Sequence, residues 1–421
     1  MASMVGVIGM SGDSGRGDRT TSRRAEPTAD EISLRSMAWR LKEDINGEIF
    51  LDVGPLIEDS WTGIPVVAAQ LARALFEVFG PALRFFIGTD ELHPHAVIDA
   101  LDRSTGAFLG YDVQQLRAFS GPIRRSAPDK VTIGIYPSAK SSRRVFDYEC
   151  SIIHDLTTLI TPQFHTLENI AHHMEVVLDD INSNTVTVCV SASTARDVAD
   201  YLGVAKDRLA VAYNGVSWRD EDVVAATTEV DVEAVEPFFL ILGTREPRKN
   251  IALIFELLSL FPQLLNSHRF VITGKIGWLQ ESNAIPASLQ SAVKSGRIFF
   301  TDFISDAEKC KLLMAADASI YPSFSEGFGL PVAESLSLGT PCIASCSSSI
   351  PEVGGECCTY FDPYSVLDLH RAVTQYQRGN PKRREEFRRS CIDSVAKFTW
   401  RQMEADILIA IENKISAARP N

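Results

Sequence analysis

From Ile49 onward the chain alternates short apolar runs with longer stretches in which apolar residues recur every three or four positions. Ile49-Phe50-Leu51-Asp52-Val53 has the length and composition of a buried strand. Ile64, Val67, Leu71, Leu75 and Val78 then mark one face of a helix that Gly80 ends. Leu83–Gly88, Val131–Tyr136, Ser151–Ile153, Thr187–Val190 and Leu209–Tyr213 repeat the strand pattern. A second series opens at Phe238–Leu242 and continues through Phe270–Thr273, Ile298–Phe300, Ala318–Tyr321 and Pro341–Ala344. Beyond Asp362 the chain reads as helical, ending with Met403–Ile415. Strands alternating with helices predict an α/β protein of two doubly wound, mostly parallel sheets with helices on both faces. Such a pair is expected to place a ligand in the cleft outside the carboxyl ends of the strands.

The pattern also marks boundaries. Residues 1–46 form a separate tail, in which Ser11–Arg24 is dominated by Gly, Ser, Arg, Asp and Thr and is expected to be disordered. Met1–Met10 is too broken by Gly and Ser for a secretory leader. Gly12-Asp13-Ser14-Gly15 imitates a protease nucleophile motif, and Met4–Gly17 a phosphate loop, but neither stands in a strand–loop–helix context. Residues 47–217 read as the first domain, joined by a C-terminal helix over 400–421, and 238–399 as the second. Between them Trp218–Pro237 has seven acidic residues, one basic residue and no periodicity, which predicts a linker.

Composition narrows the class. The 421 residues are 45% hydrophobic and 23% charged, the balance of a globular protein rather than a disordered or fibrous one. No run reaches 18 consecutive apolar residues, so no helix is expected to span a bilayer. A formal charge of -13 argues against general nucleic-acid binding. The eight Cys contain no C-x-x-C pair, so metal spacing is absent and free thiols in a reducing cytosol are expected. His165, His172 and His173 likewise give no metal spacing.

The strongest chemical signal is Ser325-Glu326-Gly327-Phe328-Gly329-Leu330-Pro331-Val332-Ala333-Glu334. A strand ends near Tyr321, the loop carries Glu326, Pro331 fits a first helical turn and Gly339 closes the helix. Glu334 is thereby expected in the first turn, so two carboxylates border one crevice. Carboxylates accept hydrogen bonds from vicinal hydroxyls, and a helix N-terminus with flanking glycines suits phosphate. A Gly-rich turn with one solvated and one capping Glu would have the same spelling. The second signal, Gly243-Thr244-Arg245-Glu246-Pro247-Arg248-Lys249-Asn250, puts three cations at a strand's carboxyl end, where they match either a diphosphate or a solvated turn. Thr62-Gly63 opens a helix, and His154-Asp155 follows a strand where it could meet a sugar or phosphate or be structural.

With these motifs the chain resembles a retaining glycosyltransferase of the two-Rossmann-domain (GT-B) type, in the family-four group that includes mannosyltransferases and sucrose synthase. The likeness runs from about Phe50 to the C-terminus. It is carried by Gly243–Asn250, Thr273–Trp278, Ser325–Glu334, Gly339-Thr340-Pro341 and Pro351-Glu352-Val353, and in the first domain by Thr62-Gly63-Ile64, Ile153–Leu156, Val190-Ser191 and Tyr213–Val216. The two glutamates keep the family spacing, with seven residues between Glu326 and Glu334. The resemblance implies that Arg248 and Lys249 hold the donor diphosphate, with Gly243, Thr244 and Arg245 beside it. It also implies that Glu326, with Gly327, Phe328, Gly329 and Leu330, meets the transferred sugar and phosphate, and that Glu334 grips the ribose. Gly63 would give backbone room near the phosphates, His154 would touch sugar or phosphate, and Thr301–Ile304, including Phe303 and Ile304, would lie beside the base. The final helix would cross back to the first domain. Two departures stand out: Thr244 replaces a common Arg, and Asp302 a common Gly.

Implied with the family are front-face transfer with retention, no metal and no cofactor beyond a nucleotide-sugar donor. The spelling of the phosphate loop and of Gly274–Trp278 is most similar to bacterial mannosyltransferases of polysaccharide assembly. GDP-mannose is the expected donor, with UDP-sugars as the alternative, and a glycan or lipid-linked acceptor of polysaccharide or lipopolysaccharide synthesis is expected. A cytoplasmic enzyme, peripheral at the inner membrane face, could use Arg124, Arg125, Arg143 and Arg144, or the tail's Arg23, Arg24, Arg35 and Arg40, against anionic lipid. A nucleotide-sugar epimerase and a non-catalytic glycan-binding protein share the fold and remain as alternatives.

Overall fold

The computed structural model describes residues 40–41, 45–59, 61, 63–104, 106–108, 110–118, 120–230, 235–277, 284–376 and 381–418. Most of the expected N-terminal tail, the tail arginines other than Arg40, and the motif residues Thr62 and Trp278 lie outside them. Arg40 pairs with Glu412 at 2.9 Å. The described residues divide into two compact units, one built from those within 157–170 and 216–398, the other from those within 40–156, 171–215 and 399–418.

The second of these units carries an eight-stranded sheet in the order β4-β3-β2-β1-β5-β6-β7-β8. Its strands are β1 (Gly47–Asp52), β2 (Arg84–Ile87), β3 (Asp90–Leu92), β4 (Gly121–Pro122), β5 (Val131–Tyr136), β6 (Tyr148–Ile153), β7 (Val186–Cys189) and β8 (Leu209–Val211). All neighbours are parallel except the short edge pairs β2–β3 and β3–β4, which the sequence pattern does not announce. The helix Ile64–Phe79 buries Val67, Ala68, Leu71, Ala72 and Leu75 at the spacing read from the sequence. It continues to Ala82 as a 19-residue stretch long and apolar enough to cross a membrane. That length departs from the expectation, although the stretch packs as a core helix against the C-terminal helix Trp400–Ala418. Burying its apolar face is worth roughly 1.5–3 kcal/mol per large aliphatic side chain.

The other unit carries a six-stranded, wholly parallel sheet in the order β11-β10-β9-β12-β13-β14. Its strands are β9 (Phe238–Leu242), β10 (Arg269–Thr273), β11 (Ile298–Thr301), β12 (Ala318–Tyr321), β13 (Cys342–Ser345) and β14 (Cys358–Phe361). β9 is apolar at every position because both faces are covered. One face packs on the helices Ile251–Leu260 and Val366–Gln375, the other on Asp220–Glu229 and Asp306–Ala315. The strand order reverses between β9 and β12, so the loops leaving these two strands face one crevice.

One reading is corrected. Within the stretch expected to be an irregular linker, Asp220–Glu229 is a helix of the second sheet's unit, with Ala226 fully buried. Only Ala226 of the helix is buried, so its apolar periodicity is weak, and its packing against Asp306–Ala315 supplies what the sequence does not show.

Candidate active site

The loops after β9 and β12 meet through charge. A single 3₁₀ turn, Pro247–Lys249, presents Arg248 and Lys249, and Asn250 ends it at φ 56. Asn250 Nδ2 donates to the carbonyls of Pro322 (3.1 Å) and Pro363 (2.9 Å), fixing this turn to the neighbouring strand ends. Lys249 Nζ lies 2.8 Å from Glu326 Oε1 and donates to Tyr321 Oη at 2.9 Å. Arg248 Nη1 lies 2.9 Å from Glu326 Oε2 and donates to the Ser325 carbonyl, while Nη2 meets Glu246 Oε1 at 2.7 Å. Glu326 is buried, its N–H donates to Ser348 Oγ at 2.8 Å, and Ser349 Oγ donates to its carbonyl at 2.9 Å.

The electrostatics follow from this packing. Burial alone would raise Glu326, but Arg248 and Lys249, with the hydrogen bond from Lys249, hold its carboxyl at about 2. Burial raises Glu246 above its ordinary value, opposed by Arg248 and Lys249 and reinforced by Glu326. Tyr321 is pushed well above the usual phenol range by burial and by Glu326, so it stays protonated. The result is an ionised acceptor between two cations, a set suited to sugar hydroxyls and phosphate oxygens.

Around this cluster the backbone depends on glycine. The helix Leu330–Ser337 starts after Gly329, φ 95, with no side-chain cap on its first N–H groups. Gly243 and Gly274 run at φ 133 and 139, and a Cβ on Gly274 would stand 2.1 Å from the Gly243 carbonyl oxygen. Only glycine permits that approach, which lets Arg245 N–H donate to the Lys275 carbonyl at 2.8 Å and Arg245 Nε to the Gly274 carbonyl at 3.1 Å. Thr244 lies within this loop beside Gly277.

Glu334 is not in the first turn, as the sequence suggested, but in the second, since Leu330 opens the helix. Its Oε1 lies 2.8 Å from Lys309 Nζ. Burial would lower Lys309, but Glu334 and Asp306 raise it, and its ammonium stands 5.0 Å from the Trp218 ring. Ile304 is half-buried against the hydrophobic cluster beneath the sheet, whereas Phe303 is 52% exposed. Gly327 and Phe328 are buried, and Phe328 packs edge-on against Phe398.

Gly63 and His154 belong to the other unit. Gly63 starts the helix Ile64–Phe79 at φ 61 with open space where a Cβ would stand. His154 Nε2 lies 2.7 Å from the Pro137 carbonyl, and burial lowers its pKa, so the ring is neutral and Nε2–H donates. Asp52, at the end of β1, was not singled out. Burial raises it to about 6 against hydrogen bonds from Gly54 and Ser141. Of the basic residues proposed for lipid contact, Arg125 pairs with Asp147 and Arg143 with Asp180, each at 2.5 Å. Tyr321, Ser348 and Lys309 are site neighbours that sequence motifs did not mark, and Glu246 stood in the basic motif without a role. The Ser347-Ser348-Ser349 run before Pro351 was the available signal for one of them. Among the described residues no group of three His, Cys, Asp or Glu could hold a metal ion.

Residues 229–392 match the family described as glycosyl transferases group 1. Over 228 residues the chain is 25% identical to O-antigen chain mannosyltransferase B of Escherichia coli, covering 53% of this chain and 59% of that protein. Over 258 residues it is 25% identical to the serotype-specific mannosyltransferase WbdA of Escherichia coli, covering 59% of this chain but 31% of that one. The match thus spans little more than half of one relative and a third of the other. A sucrose-phosphate synthase structure from Thermosynechococcus elongatus superposes with a TM-score of 0.63 at 14% identity, covering 88% of this chain and 100% of that one. The match to glycosyl transferases group 1 thus lies in residues 229–392, and the two parallel-sheet α/β units of the chain have the GT-B fold.

Proposed function

We propose that the chain is a retaining glycosyltransferase that moves mannose from GDP-mannose onto a glycan or lipid-linked acceptor of bacterial polysaccharide or lipopolysaccharide synthesis. The observation that carries this reading is the buried cluster of Arg248, Lys249 and Glu326 at the strand-order reversal of the second sheet. The two mannosyltransferase relatives support the choice of sugar. Arg248 and Lys249 would neutralise the charge that develops on a departing diphosphate, and the uncapped helix N-terminus after Gly329 would add backbone N–H donors. Glu326, ionised and held by its partners, would accept hydroxyls of the transferred sugar. Glu334 would take the ribose diol.

The test is a thermal-shift panel of GDP, UDP, ADP and their sugar conjugates, followed by transfer of labelled mannose from GDP-mannose to lipid-linked glycan acceptors. A nucleotide at a hundred times its dissociation constant should stabilise by about 2.7 kcal/mol. Stabilisation by GDP compounds with label transfer supports the reading. Stabilisation by UDP compounds alone would keep the fold and the site but replace the donor.

A further inference from the structure

A nucleoside diphosphate anchored at Arg248 and Lys249 must lay its ribose on a diol acceptor and its base one step beyond. Glu334, assigned above to the ribose, is held by Lys309 from the helix Asp306–Ala315. That helix begins directly after Asp302-Phe303-Ile304, with Ser305 and Glu308 forming a capping box at its start. The phosphate loop reaches the same place: Arg245 Nη2 lies 3.5 Å from Asp302 Oδ1. Between these contacts Phe303 is 52% exposed, and the Lys275 ammonium stands 5.2 Å from its ring centroid. An exposed aromatic face beside a phosphate loop is a stacking platform for a base.

Asp302 decides which base. Its side chain is 88% exposed, and an ionised carboxylate only accepts hydrogen bonds. Guanine presents two adjacent donors, N1–H and the 2-amino group, which the two carboxylate oxygens can accept together. Uracil presents one N–H between two carbonyl oxygens, and adenine one amino group beside an acceptor nitrogen, so each would set an acceptor against the carboxylate. We propose that Asp302, beside the Phe303 platform, is a specificity-determining residue that selects a guanine nucleotide, an inference that rests on the donor site assigned above.

The experiment is isothermal titration of GDP, inosine diphosphate and UDP into the full chain and into Asp302→Asn, Asp306→Asn and Phe303→Leu. Inosine diphosphate differs from GDP only by lacking the 2-amino group. The wild-type chain should bind GDP at least about tenfold more tightly than inosine diphosphate, in keeping with a bidentate base contact. Asp302→Asn should bring GDP down to the level of inosine diphosphate and should not weaken UDP, whose carbonyl oxygens no longer face a carboxylate. Phe303→Leu should weaken all three together, and Asp306→Asn should keep the preference. Equal binding of GDP and inosine diphosphate by the wild-type chain, or a preference that survives Asp302→Asn or vanishes with Asp306→Asn, overturns the assignment. Tighter binding of UDP than of GDP sinks this inference and leaves the donor site standing. Absence of binding by any nucleotide sinks both.

Discussion

Glu404 offers a quantitative test of the fold's energetics. It lies in the helix Trp400–Ala418, 1% exposed, and neither carboxylate oxygen has a hydrogen-bond partner among the described residues. Burial raises its pKa from 4.5 to about 8, with Arg401 lowering it and Glu77 raising it further. The native state therefore holds the proton more tightly than the unfolded chain. The penalty is absent below pH 4.5, grows as pH rises toward about 8 and is constant above that. At pH 7 the interval from 4.5 to 7 corresponds to about 3 kcal/mol of lost stability. Glu404→Gln removes the titration while keeping the shape, so its stability should be flatter across this window. Glu404→Met also removes the unpartnered polar atoms and should be about 2–3 kcal/mol more stable than the parent at pH 7.

The assay is urea unfolding of the parent and both variants from pH 4.5 to 8.5, with amide exchange of the 400–418 helix reporting the local response. Other groups titrate in the same range, including Asp406, which burial raises against a hydrogen bond from Gln402, so the difference between parent and Glu404→Gln isolates the one carboxyl. Parallel pH profiles for the two proteins would show that Glu404 finds a partner or water in solution, and the argument from burial would be wrong.

Three further outcomes follow from named contacts. On the proposed donor site, Lys249→Ala and Glu326→Ala should each lower transfer by about 10²–10³-fold, because each removes one charge of the buried cluster; near-normal turnover in both would displace the site. Gly274→Ala should cost about 2–3 kcal/mol and lower nucleotide affinity, since its Cβ would meet the Gly243 carbonyl at a φ of 139; unchanged melting and binding would refute the close approach. Lys140→Met should cost about 3 kcal/mol by urea titration, because Lys140 is fully buried 2.6 Å from Glu149 and would leave that carboxylate without its cation; a loss under 1 kcal/mol would contradict the pair.

Sequence pattern revealed the strands that are buried on both faces. Phe238–Leu242 is a continuous apolar run because helices cover both sides of its sheet, and Val131–Tyr136 is buried from Thr132 on, with Thr132 its one hydroxyl-bearing aliphatic position. The edge strands were less legible. β3 and β4 are short and polar, and β14 alternates weakly, because an edge needs less burial to hold its place. The helix Asp220–Glu229 was missed for a related reason. Its legible feature is the run Asp220-Glu221-Asp222 at the N-terminus, where negative charge favours a helix start, and that signal was read as linker charge.

The candidate site shows the same limit at closer range. Glu326, Arg248 and Lys249 stood in motifs, but Tyr321 lies 72 residues from Lys249 and becomes its partner only when β9 and β12 are neighbours. This partner changes how the cations should work. Lys249 and Arg248 are not free ends awaiting phosphate; Tyr321, Glu326, Glu246 and the Ser325 carbonyl already fix their directions. A flexible Lys or Arg otherwise loses up to roughly 2 kcal/mol of rotamer freedom when it is ordered. Ordering both beforehand moves that cost into folding, where burial of the surrounding sheet offsets it, and out of ligand binding. The same arrangement keeps Glu326 ionised in a buried position, where an isolated carboxyl would hold its proton. The acid motif and the basic loop are therefore one device: each supplies the charge that makes the other's burial tolerable, and neither would hold its charge in place alone.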